Sequence, residues 1–311
     1  MFNKSDKIPL VVIFGPTASG KSDLAIRLCK EIGGEVVTAD SMQIYKGMDI
    51  GTAKPSIDEM QGVPHHMIDV ADPTENYSLA KYVEDAGKVI EKIWADGKIP
   101  VLAGGTGLYI DTLVNGMVLS ETNTDEEYRK NLYDIAQEKG NEYVHNLLKE
   151  VDLKSAESIH PNNLKRVIRA LEFYKVSGKK QSEHIEKAER SETPYNTFKF
   201  GIAVDRELLY ERINKRVDVM FEKGLVEEVT ELKNAGVDEK YTSMQAIGYK
   251  EVLLYLNSNL SFDEMSELLK KATRNYAKRQ NTWFKREENT LWIDPKNEDS
   301  IALIKETLGL K

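Results

Sequence analysis

Gly15-Pro16-Thr17-Ala18-Ser19-Gly20-Lys21-Ser22 is the stretch that decides the fold. It fits G-x-x-x-x-G-K-[ST], a phosphate loop of the nucleotide-binding type. Its glycines let the backbone wrap an anion, while the N–H groups and the following helix N-terminus supply positive potential. Lys21 adds a cation, and the Ser22 hydroxyl is a candidate Mg²⁺ ligand. Such a loop requires a strand before it and a helix after it. The apolar run Ile8–Phe14 and the helical pattern Ser22–Ile32 supply both. The motif marks a phosphate site and leaves open which phosphate is bound.

Working outward, further short apolar or β-branched runs read as strands at Glu35–Ala39, Lys98–Ala103, Phe198–Val204 and Thr290–Ile293. Most have continuous apolar cores, as parallel strands buried on both faces do. Helical stretches such as Ala80–Ala95 separate them. The expected fold is α/β, a P-loop-type open, mostly parallel sheet flanked by helices. From about Ser120 to Asn196 strand signals vanish and charge density rises. Thr124 followed by Glu127 reads as a capping box opening one helix, and Val144, Leu147, Leu148 and Val151 mark a second. A third runs from Pro161 to Gly178. The expected domains are therefore a core of residues 1–119 and 197–311 and an all-helical insertion domain of residues 120–196. Long amphipathic helices from Glu207 to Arg286 and a final strand complete the core.

At 311 residues the chain has room for about two domains at roughly 150 residues each. A hydrophobic share of 41% rules out wholesale disorder. A net charge of −8 means no overall positive field, so nucleic acid must be held by local patches. One cysteine, Cys29, excludes an intramolecular disulfide and suits a reducing cytoplasm. No apolar run approaches the roughly 18 residues that span a bilayer, so no membrane partner is expected. Lys4 and Lys7 ahead of Ile8–Phe14 resemble a minimal signal peptide. That run is short, contains Pro9 and leads straight into the phosphate loop, so no signal peptide is expected.

Two further signals fall just after predicted strands, where an open α/β sheet forms its binding crevice. Asp40 reads as a base or metal-bridging carboxylate, or as the cap of the next turn. Gly104-Gly105-Thr106-Gly107 reads as a loop allowing close backbone approach to a ligand, or as a purely conformational turn.

Taken together, GPTASGKS, Thr38–Lys46 (TADSMQIYK), Asp49–Pro55 (DIGTAKP), Pro64–Asp69 (PHHMID), GGTGLY, QAIGYKE and TRNYAKRQNTWF closely resemble the bacterial tRNA dimethylallyltransferase (tRNA isopentenyltransferase) family. The resemblance implies transfer of a dimethylallyl group from dimethylallyl diphosphate to N6 of adenosine 37, beside the anticodon of tRNA. It implies Mg²⁺ as cofactor, the diphosphate held by Gly15, Pro16, Thr17, Ala18, Ser19, Gly20, Lys21 and Ser22, and Asp40, Thr106 and Arg216 as catalytic residues. It further implies tRNA contacts at Asp40, Ser41, Met42, Gln43, Thr106, Arg129, Lys165, Arg166 and Arg169. A cytoplasmic monomer whose partners are dimethylallyl diphosphate and the anticodon stem-loop is expected. The family's eukaryotic members carry a zinc finger, but this sequence has no such Cys/His cluster and no need of zinc is expected.

The chemistry asks for these groups. Breaking an allylic carbon–oxygen bond puts negative charge on the departing diphosphate, which a preorganised anion cradle with Mg²⁺ stabilises. A phosphate loop can therefore serve a leaving group without hydrolysing a nucleotide. The attacking N6 becomes acidic only as its new bond forms, so a carboxylate of ordinary pKa near 4 suffices as base, and Asp40 is the candidate. Arg216 repeats within Arg212-x-x-x-Arg216, so a surface ion pair is the competing account of it.

An extruded anticodon-loop base needs basic and aromatic surface. In the third insertion helix, Leu164, Val167, Ile168, Leu171 and Tyr174 share one face at about 100° per residue. Arg166, Arg169 and Phe173 share the opposite one, fit for phosphate contact and base stacking, against the plainer account of a solvated charged face. Leu269–Arg286 is a second basic stretch, with Tyr276, Trp283 and Phe284 interleaved; core packing with a basic rim and direct ligand contact both fit it. His65-His66 is expected to be structural and Cys29 a buried filler. The alternatives are a small-molecule kinase or NTPase, against which stands the lack of a Walker-B Asp; a prenyltransferase acting on free AMP, ADP or ATP; and a non-catalytic RNA-binding module.

Overall fold

The computed structural model describes residues 7–115, 125–189, 192–258, 260–297 and 299–310. They fall into two compact units, Met1–Val114 with Pro194–Lys311, and Asn115–Thr193.

In the first unit the strands are β1 (Ile8–Phe14), β2 (Gly34–Ala39), β3 (His65–His66), β4 (Ile99–Gly104), β5 (Tyr195–Ile202) and β6 (Thr290–Ile293). They form one sheet in the order β3-β2-β4-β1-β5-β6. Every neighbouring pair is parallel, so the expected mostly parallel sheet is parallel throughout. β1 lies between β4 and β5, where successive connections run to opposite sides and leave a crevice at the strands' carboxyl ends. Leu10–Ile13 are wholly buried, with one apolar layer on each side of the sheet.

The helices of this unit are, in chain order, α1 (Lys21–Ile32), α2 (Ile57–Met60), α3 (Leu79–Ala95) and α4 (Gly107–Val114), before the second unit begins. That unit holds α5 (Glu126–Lys139), α6 (Asn141–Val151), α7 (Leu153–Ser158), α8 (Leu164–Ser177) and α9 (Gln181–Glu189), with no strand among its described residues. The chain then returns through α10 (Arg206–Glu222), α11 (Leu225–Asn234), α12 (Tyr249–Asn257), α13 (Phe262–Phe284) and α14 (Asp299–Thr307).

Several elements differ from the sequence expectations for identifiable reasons. Thr124 of the expected capping box lies outside the described residues; the α5 cap is Asp125, whose carboxylate accepts the Tyr128 N–H. α8 begins at Leu164 rather than Pro161, because residues 161 and 162 form a turn first; Gly178 closes it in the left-handed conformation at φ 67°. β5 begins at Tyr195, pairing with Ile8, because Tyr195 is buried although its neighbours are polar. β3 is two residues long and α14 follows a turn after β6; neither was expected. Among the described residues no helix is long and apolar enough to cross a membrane.

Candidate active site

Three loops leave the carboxyl edge of the sheet side by side, after β1, β2 and β4. The first is the phosphate loop. Gly15 is needed because a Cβ there would meet Ile202 Cβ at 2.9 Å and Ser19 Oγ at 3.1 Å. Gly20 turns the chain into α1 at φ 94°, and Ala18 also holds a positive φ of 61°. Ser19 is fully buried, and its hydroxyl is the buried side-chain polar atom without a partner among the described residues. An orphaned donor in a glycine-bounded loop is what a site awaiting an anion presents. Lys21 Nζ donates to Pro16 O at 3.2 Å. Burial, and then the charge of nearby Arg216, lower its pKa to about 8, with Asp40 opposing the shift.

Arg216, on α10, donates through Nη1 to Thr17 Oγ1 at 3.4 Å. Burial pulls its pKa down while the charges of Glu59 and Asp40 hold it up. It forms no ion pair within 4.0 Å among the described residues, so the surface-pair account does not describe it. Two cations thus stand at the phosphate loop with Asp40 close enough to act on both.

Asp40 follows β2 directly. Its Oδ1 accepts the Met42 N–H at 2.9 Å and the Gln43 N–H at 3.4 Å, so it does cap the next turn, with one oxygen only. Gln43 is held by its amide, which donates to Thr52 O and Ala53 O at 3.1 and 3.2 Å, and Met42 packs against the core. Ser41 N–H donates to Thr106 Oγ1 at 3.1 Å, and Thr106 N–H donates to Ala39 O at 3.1 Å. Asp40 and Thr106 are thereby brought together from two strands.

The glycines of Gly104-Gly105-Thr106-Gly107 have a reason that neither expectation anticipated. A Cβ on Gly104 would strike Ala39, one on Gly105 the Gln280 amide, and one on Gly107 the Trp283 ring. They make room for other parts of the protein, and none of the three has a positive φ. The wall that Gly105 and Gly107 admit is α13. Its buried Gln280 accepts the Thr17 N–H at 2.9 Å through Oε1 and donates through Nε2 to Gly105 O at 2.8 Å. For Tyr276, one turn earlier, burial and the Asp40 charge raise the pKa to about 12, against relief from nearby Thr106 and Gln280. Phe284 stacks on Phe14 with centroids 4.7 Å apart, and Trp283 Nε1 donates to Asp111 Oδ2 at 2.7 Å. Gln280 escaped sequence reasoning, because an amide on a helix carries no spacing signal of its own; Tyr276 was legible only as one aromatic of the basic stretch Leu269–Arg286.

Other prominent motifs are structural. Glu228 accepts the N–H groups of Asp49, Ile50 and Gly51 and the Tyr249 hydroxyl, pinning DIGTAKP to α11 and α12. His65 Nδ1 pairs with Val63 O at 2.9 Å and His66 Nε2 with Glu35 at 2.6 Å. Cys29 is buried, and burial raises its thiol pKa to about 12.

In the helical unit, Lys165 and Arg166 are exposed on α8. Arg129 and Arg169 instead converge on Glu172, which is 1% exposed. Arg129 grips it through Nε at 2.7 Å and Nη2 at 2.9 Å, and Arg169 through Nη1 at 2.6 Å. Burial raises the Glu172 pKa, but Arg129, the Asp125 N–H and Arg169 outweigh it and leave it below the usual carboxylate value. Phe173 is not on a solvent face: it is 7% exposed and covered by the His184 ring of α9 at 5.2 Å. Tyr174, expected in the core, is 37% exposed. The helical wheel failed at both residues, at Phe173 because α9 buries a side of α8 that periodicity alone assigns to solvent.

For Mg²⁺ the donor chemistry fits a shared site. Among the described residues no three His, Cys, Asp or Glu side chains cluster as a metal cage. Ser22 stands exposed in the first turn of α1, and Mg²⁺ is commonly held by few protein oxygens together with phosphate oxygens and water.

The chain is similar to known proteins of one family. The family model described as IPP transferase matches residues 43–287. A tRNA dimethylallyltransferase of Acetivibrio thermocellus is 53% identical over 291 residues, covering 94% of this chain and 93% of that protein. The solved tRNA isopentenylpyrophosphate transferase of Bacillus halodurans is 42% identical, with a TM-score of 0.73 over 97% of this chain and 96% of that one. A solved eukaryotic dimethylallyltransferase acting on tRNA is 30% identical, with a TM-score of 0.76 over 97% of this chain and 77% of that one.

Proposed function

This chain belongs to the IPP transferase family and is a prenyltransferase, and we propose that it moves a dimethylallyl group from dimethylallyl diphosphate to N6 of adenosine 37 in tRNA. The observation that carries the reading is the hydrogen-bonded junction of three loops. It sets an anion cradle with Lys21 and Arg216 beside a carboxylate, Asp40, that has one oxygen uncommitted.

The N6 lone pair attacks C1 of the dimethylallyl group as the C1–O bond breaks and its electron pair leaves with the diphosphate. The N6 proton passes to Asp40 Oδ2, because Oδ1 is taken by the Met42 and Gln43 N–H groups. Thr106, its hydroxyl oriented by the Ser41 N–H, hydrogen-bonds the incoming nucleotide. The backbone from Gly15 to Ser22, with the Ser19 hydroxyl, Lys21 and Arg216, holds the diphosphate and meets its growing charge without reorganising. Ser22 would hold Mg²⁺, which supplies further charge neutralisation when bound.

We assign tRNA contact to Ser41, Met42 and Gln43 beside Asp40, and to Lys165 and Arg166 on α8, with Arg129 and Arg169 as partners whose charge is shared with Glu172. The enzyme acts in the cytoplasm as a monomer on the anticodon stem-loop. The decisive experiment is incubation with Mg²⁺, dimethylallyl diphosphate and unmodified tRNA, followed by mass spectrometry of the nucleosides. Adenosine heavier by one dimethylallyl group at position 37 is expected; ATP turnover without prenylated adenosine would instead indicate a kinase or NTPase.

A further inference from the structure

We infer that Gln280 is a positioning residue that sets the phosphate loop against the loop after β4, and with it the alignment of the departing diphosphate and the attacking amine. The inference rests on the prenyl-transfer reading above.

The sheet fixes β1 against β4 only as far as Phe14 and Gly104. Beyond those residues the two loops have no strand ladder between them, and the Gln280 amide spans the gap. Its two ends are not interchangeable: an N–H faces Oε1 and a carbonyl faces Nε2, so one orientation satisfies both. The side chain is 6% exposed, so water does not compete for either bond. Gly105 has room for the amide only because it lacks a Cβ.

Each end leads straight to the chemistry. Thr17 carries the Arg216 contact on its hydroxyl, and Gly105 precedes Thr106, which holds the turn bearing Asp40. Tyr276, one turn earlier on the same helix, stands near both Gln280 and Thr106. The helix carrying both residues is anchored by Phe284 on Phe14 and by Ala277 packed with Ala18, Leu209 and Ile213. A rigid element therefore reaches both substrates' loops through one side chain, and small displacements of reacting atoms are costly.

The test compares wild type with Gln280→Met, which keeps length and loses both bonds, and Gln280→Glu, which keeps only the acceptor for Thr17. Turnover is measured with Mg²⁺, dimethylallyl diphosphate and tRNA at saturation, per folded enzyme. For Gln280→Met, kcat is expected to fall about 100-fold with KM for tRNA changed by less than about threefold. Gln280→Glu should fall as well, since the Gly105 link is lost. Wild-type kcat in Gln280→Met with only a lowered Tm, or raised KM values at unchanged kcat, would overturn the inference. Hydrogen exchange supplies an arm that needs no turnover: Gln280→Met should speed exchange in residues 15–20 and 104–108 together. Unchanged exchange in either loop would overturn the coupling. A wild-type protein that makes no prenylated adenosine would refute the prenyl-transfer reading, while the exchange result would still decide whether Gln280 couples the loops.

Discussion

The Ser41 backbone N–H donates to the Thr106 hydroxyl oxygen at 3.1 Å, tying the turn that bears Asp40 to the loop after β4. Since that turn is also capped by one Asp40 oxygen, capping and proton transfer can be separated by substitution. Asp40→Asn keeps an oxygen to accept the Met42 N–H but cannot take the N6 proton. Its turnover should drop at least about 100-fold while donor affinity changes little, as expected for loss of a general base. Single-turnover kinetics checks this, and near wild-type rates would reduce Asp40 to a turn cap.

Lys21 gives a pH signature. Its pKa of about 8 in the free protein means that a growing fraction is neutral as pH rises above 8. A bound diphosphate favours the charged form, so donor binding raises this pKa and takes up a proton. Calorimetry at pH 8.5 in buffers of different ionisation enthalpy should show net proton uptake, abolished in Lys21→Arg. Proton release in the wild type would contradict the assignment of Lys21 to the anion.

On α8 the two arginines should part company. Arg166 is exposed, so Arg166→Ala should weaken tRNA binding and reduce the salt slope by about 1. Arg169 shares the buried Glu172 with Arg129, so Arg169→Ala should lower the melting temperature as well. Salt titrations of tRNA affinity and thermal melts separate the two; an unchanged salt slope in Arg166→Ala would return that residue to a merely solvated face.

Asp111 predicts a stability change with pH. Burial, the Glu287 charge and a hydrogen bond with Glu287 raise its pKa to about 7, against relief from Trp283 and Lys199. A carboxyl whose folded pKa is raised favours the fold below its unfolded pKa and loses that advantage as pH rises through about 7. Asp111→Asn should therefore melt about 3 °C above wild type at pH 8. The gap should narrow as pH falls and close only below the ordinary carboxyl value of 3.8, where Asp111 is protonated in both states. A gap that is independent of pH would show that Asp111 carries no such penalty.

The sheet and the phosphate loop were legible because each rests on local chemistry: apolar runs for buried parallel strands and glycines at fixed spacing for an anion cradle. β1 falls at the expected residues for that reason, and β6 does so as an edge strand, its Leu291 and Trp292 apolar but exposed. Asp40 was legible as a candidate because it follows a strand directly, and Thr106 because the loop after β4 resembles the family's GGTGLY block. His65–His66 were not, since a two-residue strand has no pattern to read. Phe173 misled because its burial depends on α9, which lies outside its own helix's periodicity. The glycines after β4 signalled close approach but not by what, and Gln280, the residue that approaches, lies 175 positions from Gly105. Long-range hydrogen bonds of this kind leave no mark on a single sequence.

The phosphate loop is proposed to hold the leaving diphosphate rather than a nucleotide. A structure with Mg²⁺ and a non-reactive thiolo analogue of dimethylallyl diphosphate decides between the two. The diphosphate is expected against the backbone of residues 15–22, within hydrogen-bond reach of Ser19 Oγ and Arg216, with its C1 facing Asp40. A diphosphate bound elsewhere, with that loop empty, would contradict it.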